Sequence, residues 1–148
     1  MTIEGGCRCG AVRYRLALDG QPLAYACHCT DCQTWSGSAF SEQLLVAEGA
    51  LAVTGPVTLF DLTSPSGRIS RQRMCEICHT RIFNTNSARP GVAVVRAGTL
   101  DRSNELVVTA HMWTRSKQPW FALPEEAAAW PEAPPPEELV RALGLSRS

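Results

Sequence analysis

Between Val12 and Leu18 the apolar residues Val12, Tyr14, Leu16 and Leu18 alternate with Arg13, Arg15 and Ala17, a period of two. That is the pattern of a half-buried strand, and it predicts one entered from Gly5-Gly6, running from Cys7 to Leu18 and ended by Asp19-Gly20-Gln21-Pro22. Further short β-rich runs follow: Leu44-Leu45-Val46, Leu51-Ala52-Val53, Val57-Thr58-Leu59-Phe60, Arg68 to Met74, Gly91 to Val95 and Leu106 to Trp113. Gly, Pro, Ser and Asp separate them, the punctuation of turns. One short helical turn is expected from Cys29 to Gly37, capped by Thr30-Asp31 and stopped by Ser36-Gly37-Ser38. With neither a long repeat nor βαβ alternation, the pattern predicts a mainly β, antiparallel domain with one or two short helices.

After Trp130 the composition shifts to Pro131-Glu132-Ala133-Pro134-Pro135-Pro136, a stiff extended stretch, and then to Glu137–Leu145, where a short helix with Glu in its first turn is expected. Residues 1–122 therefore read as the folded domain, and 123–148 as a Pro-rich tail dispensable to chemistry. At 148 residues the chain has the size of one ordinary domain. Lys plus Arg equals Asp plus Glu at 14 each, so no basic field draws it to nucleic acid or an anionic membrane. No apolar run has the length of a membrane span, and Met1-Thr2-Ile3-Glu4 opens no export signal. A cytoplasmic protein is the expectation, with no membrane partner and no indication of oligomeric state.

Seven cysteines change this picture from a bland β domain to a metal protein. They fall in three groups: Cys7-Arg8-Cys9, Cys27-His28-Cys29-Thr30-Asp31-Cys32 and Cys75-Glu76-Ile77-Cys78. A structural zinc site takes four protein ligands, and a catalytic one keeps three and an open position, so one tetrathiolate plus one three-thiolate site uses every cysteine. On a strand, Cys7 and Cys9 would face one side. Cys29 and Cys32 would share a helical face, with Cys27 arriving from the preceding strand. Three readings compete: a disulfide framework, disfavoured without an export signal; a Cys-x-x-Cys redox pair at Cys75 and Cys78; and buried thiols acting as small hydrophobes. Spacing alone also permits other four-plus-three partitions.

The ordered set Gly6-Cys7-Arg8-Cys9-Gly10-Ala11-Val12, Cys27-His28-Cys29-Thr30-Asp31-Cys32 with Ser36-Gly37-Ser38-Ala39-Phe40, and Cys75-Glu76-Ile77-Cys78 resembles the glutathione-dependent formaldehyde-activating family, also called the centromere protein V-like family. His111-Met112-Trp113, Ser116-Lys117 and Pro119-Trp120-Phe121 are similar to that family's closing signature, so the resemblance covers about residues 5–122. It implies a compact zinc-binding β fold of the Mss type. It also implies two zinc ions, a structural one on Cys7, Cys9, Cys75 and Cys78 and an exposed, catalytic one on Cys27, Cys29 and Cys32. The activity implied is that of a carbon-sulfur lyase or synthase forming S-(hydroxymethyl)glutathione from formaldehyde and glutathione. One departure stands at His79, where the family usually carries Gly; His adopts a positive φ at some cost, so the local turn is expected to differ.

Glutathione, or a related small thiol, suits an open three-thiolate site because a coordinated thiol ionises and its two carboxylates fit arginine forks. A fourth thiolate would raise the local negative charge, and Arg68, Arg71, Arg73, Arg115 and Lys117 are the cations available to offset it. His28, His79 and His111 are the histidines available for proton transfer. His28, between two ligands on extended chain, points away from the metal; His79 reads as a surface residue, and His111 as one of a strand row with Val107, Thr109 and Trp113. Ser36-Gly37-Ser38 reads as a turn, Arg68 to Arg73 as a solvated face, and Trp35, Trp113, Trp120 and Trp130 as core. The alternatives are a non-enzymatic zinc module that binds a protein partner and an enzyme acting on another glutathione adduct.

Overall fold

The computed structural model describes residues 1–145, so the last three residues of the 123–148 segment lie outside the described residues. In chain order its elements are β1 (Thr2–Gly6), β2 (Arg13–Ala17), β3 (Leu23–Cys27), α1 (Thr30–Ser36), β4 (Ser41–Ala47), β5 (Leu51–Thr54), β6 (Val57–Thr63), β7 (Ile69–Cys75), β8 (Arg81–Asn86), β9 (Val92–Arg96), β10 (Val107–Met112), β11 (Ala128–Ala129) and α2 (Pro136–Ala142). The fold is mainly β with two short helices, as the turn-punctuated runs predict. Among the described residues no helix is long and apolar enough to cross a membrane. The chain divides into two compact units, the first made of Met1–Gln21 and Leu44–Glu105, the second of Pro22–Gln43 and the chain from Leu106.

In the first unit β1, β2 and β5 form an antiparallel sheet in that order. The alternation seen in the sequence is its physical basis: Val12, Tyr14 and Leu16 are fully buried while Arg13 and Arg15 face outward. Burial without a partner would leave the Tyr14 phenol costly, and its Oη bonds Thr99 Oγ1 at 2.8 Å. Strands β9, β8, β7 and β6 form an antiparallel ladder, with β4 next to β9. Strand β8 is missing from the hydrophobic pattern because its polar residues pair across strands. Arg81 Nη2 donates to Gln72 Oε1 at 2.6 Å, and Arg96 Nη2 donates to Asn84 Oδ1 at 2.8 Å.

The strand expected from Cys7 begins only at Arg13. Residues 7–10 instead form a turn, in which Gly10 N donates to Cys7 O at 3.1 Å and Cys7 N to Val12 O at 3.0 Å. Closing it places Gly10 at φ 82°, a left-handed conformation open to glycine at little cost. Ahead of that turn lies β1, whose Thr-Ile-Glu-Gly-Gly sequence carries too little hydrophobic alternation to announce a strand.

In the second unit the pairing departs from the antiparallel expectation. β3 runs parallel to β10, with Ala26 opposite His111 and Cys27 opposite Met112, and β10 runs parallel to β11. Only the start of β4 lies antiparallel to β3. A register shift between Val108 and Ala110 breaks the simple alternation of β10, so Ala110 and His111 are both buried. Segment 123–145 packs into this unit: Leu139 and Leu143 are buried, Thr109 Oγ1 donates to Ala142 O at 2.8 Å, and Trp130 N donates to His111 O at 2.9 Å. None of the four tryptophans is buried, and Trp120 is 72% exposed, against the expectation of aromatic core.

Candidate metal centres

The first unit brings Cys7, Cys9, Cys75 and Cys78 together with all four Sγ atoms within 4.8 Å of one another. Cys7 and Cys9 stand on the turn before β2, and Cys75 ends β7, so the cluster joins two hairpins, with Cys9 and Cys75 66 positions apart in sequence. Tetrahedral zinc with Zn–S bonds of about 2.3 Å needs sulfurs about 3.8 Å apart. Cys7 and Cys9 lie at 3.5 Å and Cys9 and Cys75 at 3.7 Å. Backbone N–H groups point at the sulfurs, as a clustered anionic donor set requires: Val12 N at 3.2 Å from Cys7 Sγ, and Ile77 N and Cys78 N at 3.3 and 3.5 Å from Cys75 Sγ. Thr80 Oγ1 lies 3.1 Å from Cys78 Sγ and holds that thiol's pKa down, to about 5. The donor set fits a four-thiolate metal.

The second unit brings together Cys27, Cys29 and Cys32, again with every Sγ within 4.8 Å of the others. Cys27 is the last residue of β3, Cys29 the N-cap of α1 and Cys32 a residue of its first turn. The helix start differs from expectation: the cap is the Cys29 sulfur, which accepts from Cys32 N at 3.3 Å, and Thr30 and Asp31 are already helical. Gly37, at φ 67°, ends the helix as expected. Crowding three thiols makes them share protons: the Cys27 and Cys32 thiols hold the Cys29 pKa far down, and the same contact with Cys29 pushes Cys27 far up. One easily ionised sulfur beside two donors suits a divalent cation, and Cys29 and Cys32 are only partly covered. All seven cysteines are free thiols, so neither cluster is a disulfide.

His79 lies outside both clusters and is exposed. Contrary to expectation the turn keeps the conformation that suits glycine, with His79 at φ 62° and its N–H on Cys75 O at 3.0 Å. A left-handed residue with a Cβ is strained by about 1–2 kcal/mol, part of which glycine gives back as unfolded-state entropy. His79→Gly is therefore expected to raise stability by about 0.5–1 kcal/mol, read as a higher denaturant midpoint at constant slope. An unchanged or lower midpoint would show that His79 is unstrained.

Of the five cations considered for the three-cysteine cluster, Arg115 and Lys117 belong to its unit. Arg115 pairs with Glu132, an exposed contact, while Lys117 Nζ is held by the carbonyls of Phe121 at 2.6 Å and Gln118 at 3.2 Å. Arg71 pairs with Asp61, and Arg73 bonds Thr85 and Arg71 O and stacks over Phe83, all within the first unit. Burial pulls the His28 pKa down to about 4, with His111 and then Lys117 adding to the effect. Two glutamines escaped the sequence reading. Gln33 Nε2 donates to His28 O at 2.8 Å and to Ser116 O at 2.9 Å, and Gln43 Nε2 lies 3.8 Å from Cys32 Sγ. Gln33 follows Cys32 directly, the one cue available; Gln43 has none, since β4 brings it back 11 residues later.

The profile of a family described as glutathione-dependent formaldehyde-activating enzyme matches residues 2–116. No curated protein matches the chain. A Rhodobacter sphaeroides protein of known crystal structure is similar at 20% identity and a TM-score of 0.55, over 72% of this chain and 98% of that one, which supports the fold.

Proposed function

The chain belongs to the glutathione-dependent formaldehyde-activating enzyme family, and from that membership we propose that it binds glutathione beside Cys27, Cys29 and Cys32 and promotes addition of the glutathione sulfur to formaldehyde, giving S-(hydroxymethyl)glutathione. The observation that carries this reading is the inequality of the two clusters: one gathers four thiols, the other three, two of them only partly covered. A zinc ion held by three thiolates supplies a Lewis acid with one open position, able to keep a thiol ionised near neutral pH and to polarise a carbonyl oxygen.

The chain's own part is charge and placement. Three thiolates and a divalent cation carry a net charge of −1, and a substrate thiolate makes it −2, so a nearby cation favours binding. Lys117, fixed by two carbonyls, is the cation whose charge reaches the His28 ring next to Cys27 and Cys29. Gln43 turns its amide toward Cys32 and offsets part of that sulfur's charge. In the addition a sulfur electron pair forms the C–S bond, the carbonyl π pair moves to oxygen, and the thiol proton ends on that oxygen. No further reactant is needed.

Formaldehyde and glutathione combine spontaneously, so the test is the exchange rate between free and bound formaldehyde, followed by NMR with increasing protein. A rate that rises in proportion to protein and requires glutathione supports the proposal. A rate equal to the spontaneous one at every protein concentration overturns it.

A further inference from the structure

Residue 28 joins the end of β3 to the start of α1, and its backbone angles decide whether the sulfurs of Cys27 and Cys29 converge or splay. Each hydrogen-bonding group of its backbone is tied down: its N–H donates to Met112 O at 3.0 Å and its carbonyl accepts from Gln33 Nε2 at 2.8 Å. The side chain is tied as well. His28 Nε2 lies 2.9 Å from His111 Nδ1, both residues are buried, and the rings of Phe40 and Phe121 sit 5.1 and 5.4 Å from that of His28. Strand β10 thus grips residue 28 twice, through Met112 O and through the neighbouring His111 ring.

Stability alone does not call for imidazoles here. Their pairing leaves His28 Nδ1 and His111 Nε2 buried without a hydrogen-bond partner among the described residues, a desolvation cost that an apolar ring in the same aromatic pocket would avoid. What the pair adds is direction. A hydrogen bond fixes one ring orientation, whereas apolar packing tolerates several. We propose that His28 and His111 form a positioning latch: by holding residue 28 against β10, His111 sets the spacing of the Cys27, Cys29 and Cys32 sulfurs without itself donating to the metal. The latch rests on the reading of those three cysteines as metal donors. It is independent of which substrate the site serves, and either ring can supply the shared N–H.

The test is cobalt binding by the full chain, in which thiolate-to-cobalt charge-transfer absorption reports the donor geometry and competition with a chelator reports affinity. Asn at position 111 keeps an amide atom close to where Nδ1 stands, Gln moves it out to the place of Nε2, and Leu removes it. His111→Leu and His111→Gln are expected to lose about 10–100-fold in cobalt affinity at the three-cysteine site, the usual cost of losing a group that orients a ligand. Their four-cysteine site should keep its affinity, and with that site loaded and the three-cysteine site empty a double variant, His28→Phe with His111→Leu, should melt no lower than the parent in the same state, because no buried ring nitrogen is then left unpaired. His111→Asn should bind within a few-fold of the parent. If the parent binds two cobalt ions and His111→Leu binds them equally well, or His111→Asn loses as much as His111→Leu, the latch is overturned alone. A parent that binds a single cobalt ion overturns the metal reading and the latch with it.

Discussion

Cys75→Ser is expected to abolish the cooperative thermal unfolding of the chain or to lower its midpoint by tens of degrees. Cys75 is fully buried at the end of β7, opposite Val57, and its sulfur lies 3.7 Å from Cys9 Sγ while accepting two backbone N–H groups. Serine leaves those N–H groups facing a shorter, un-ionised oxygen, and it removes one of four thiolate donors. Metal binding to a structural site is folding free energy, about 10–16 kcal/mol in small zinc peptides, which matches the whole net stability of an ordinary domain at about 5–15 kcal/mol. Even a loss of about 5 kcal/mol translates into roughly 10–20 °C for a chain of this size. Circular dichroism melting, paired with metal counting by native mass spectrometry, reads both consequences together. A Cys75→Ser protein that melts within a few degrees of its parent would mean that this cluster does not carry the fold.

The two cysteine clusters were legible in the sequence to different depths. Cys75-x-x-Cys78 and Cys27-x-Cys29-x-x-Cys32 announce themselves because spacings of one or two residues at a turn or helix start leave few arrangements other than convergence. The meeting of Cys9 with Cys75 was not written locally. It depends on the turn before β2 meeting the end of β7, where Cys9 and Cys75 are 66 positions apart in sequence, and the family resemblance supplied what spacing left open. Even within Cys7-Arg8-Cys9 the mechanism differed from the reading: a turn through Gly10, rather than one face of a strand, brings the sulfurs together.

Strands were readable where one face is apolar, as in β2, and unreadable where polar side chains satisfy one another, as in β8. The parallel pairing of β3 with β10 lay beyond any local signal, since alternation tells which face is buried and nothing about the partner strand's direction. That pairing is also what places His111 on His28, 83 residues away. A histidine row with Val107 and Thr109 looked like a strand face, and the register shift between Val108 and Ala110 turned it inward. Tryptophan misled as well: in the second unit the small residues Ala24, Ala26 and Ala110 are buried, and none of the four indoles is.

Cys29→Ser should leave the fold intact and remove the chemistry, the opposite outcome from Cys75→Ser for the same change of sulfur to oxygen. Cys29 is the N-cap of α1, and its sulfur accepts from Cys32 N. Serine is among the best N-cap residues, so the helix loses nothing and its first turn is held at least as well. As a metal donor the two side chains are far from equal: the thiolate is a strong, soft ligand, and the serine hydroxyl stays protonated near neutral pH. With one of three donors gone, the site with the open position is weakened, while the cluster of Cys7, Cys9, Cys75 and Cys78, which lies in the other unit, keeps its full set. Native mass spectra of the parent should show a glutathione adduct on a chain carrying two metals, and those of Cys29→Ser one metal and no adduct, at a melting midpoint within a few degrees of the parent. Formaldehyde exchange in the variant should fall to the spontaneous rate. If the variant still bound glutathione and still accelerated the exchange, Cys27, Cys29 and Cys32 would not be the site of the reaction, whatever metal they hold.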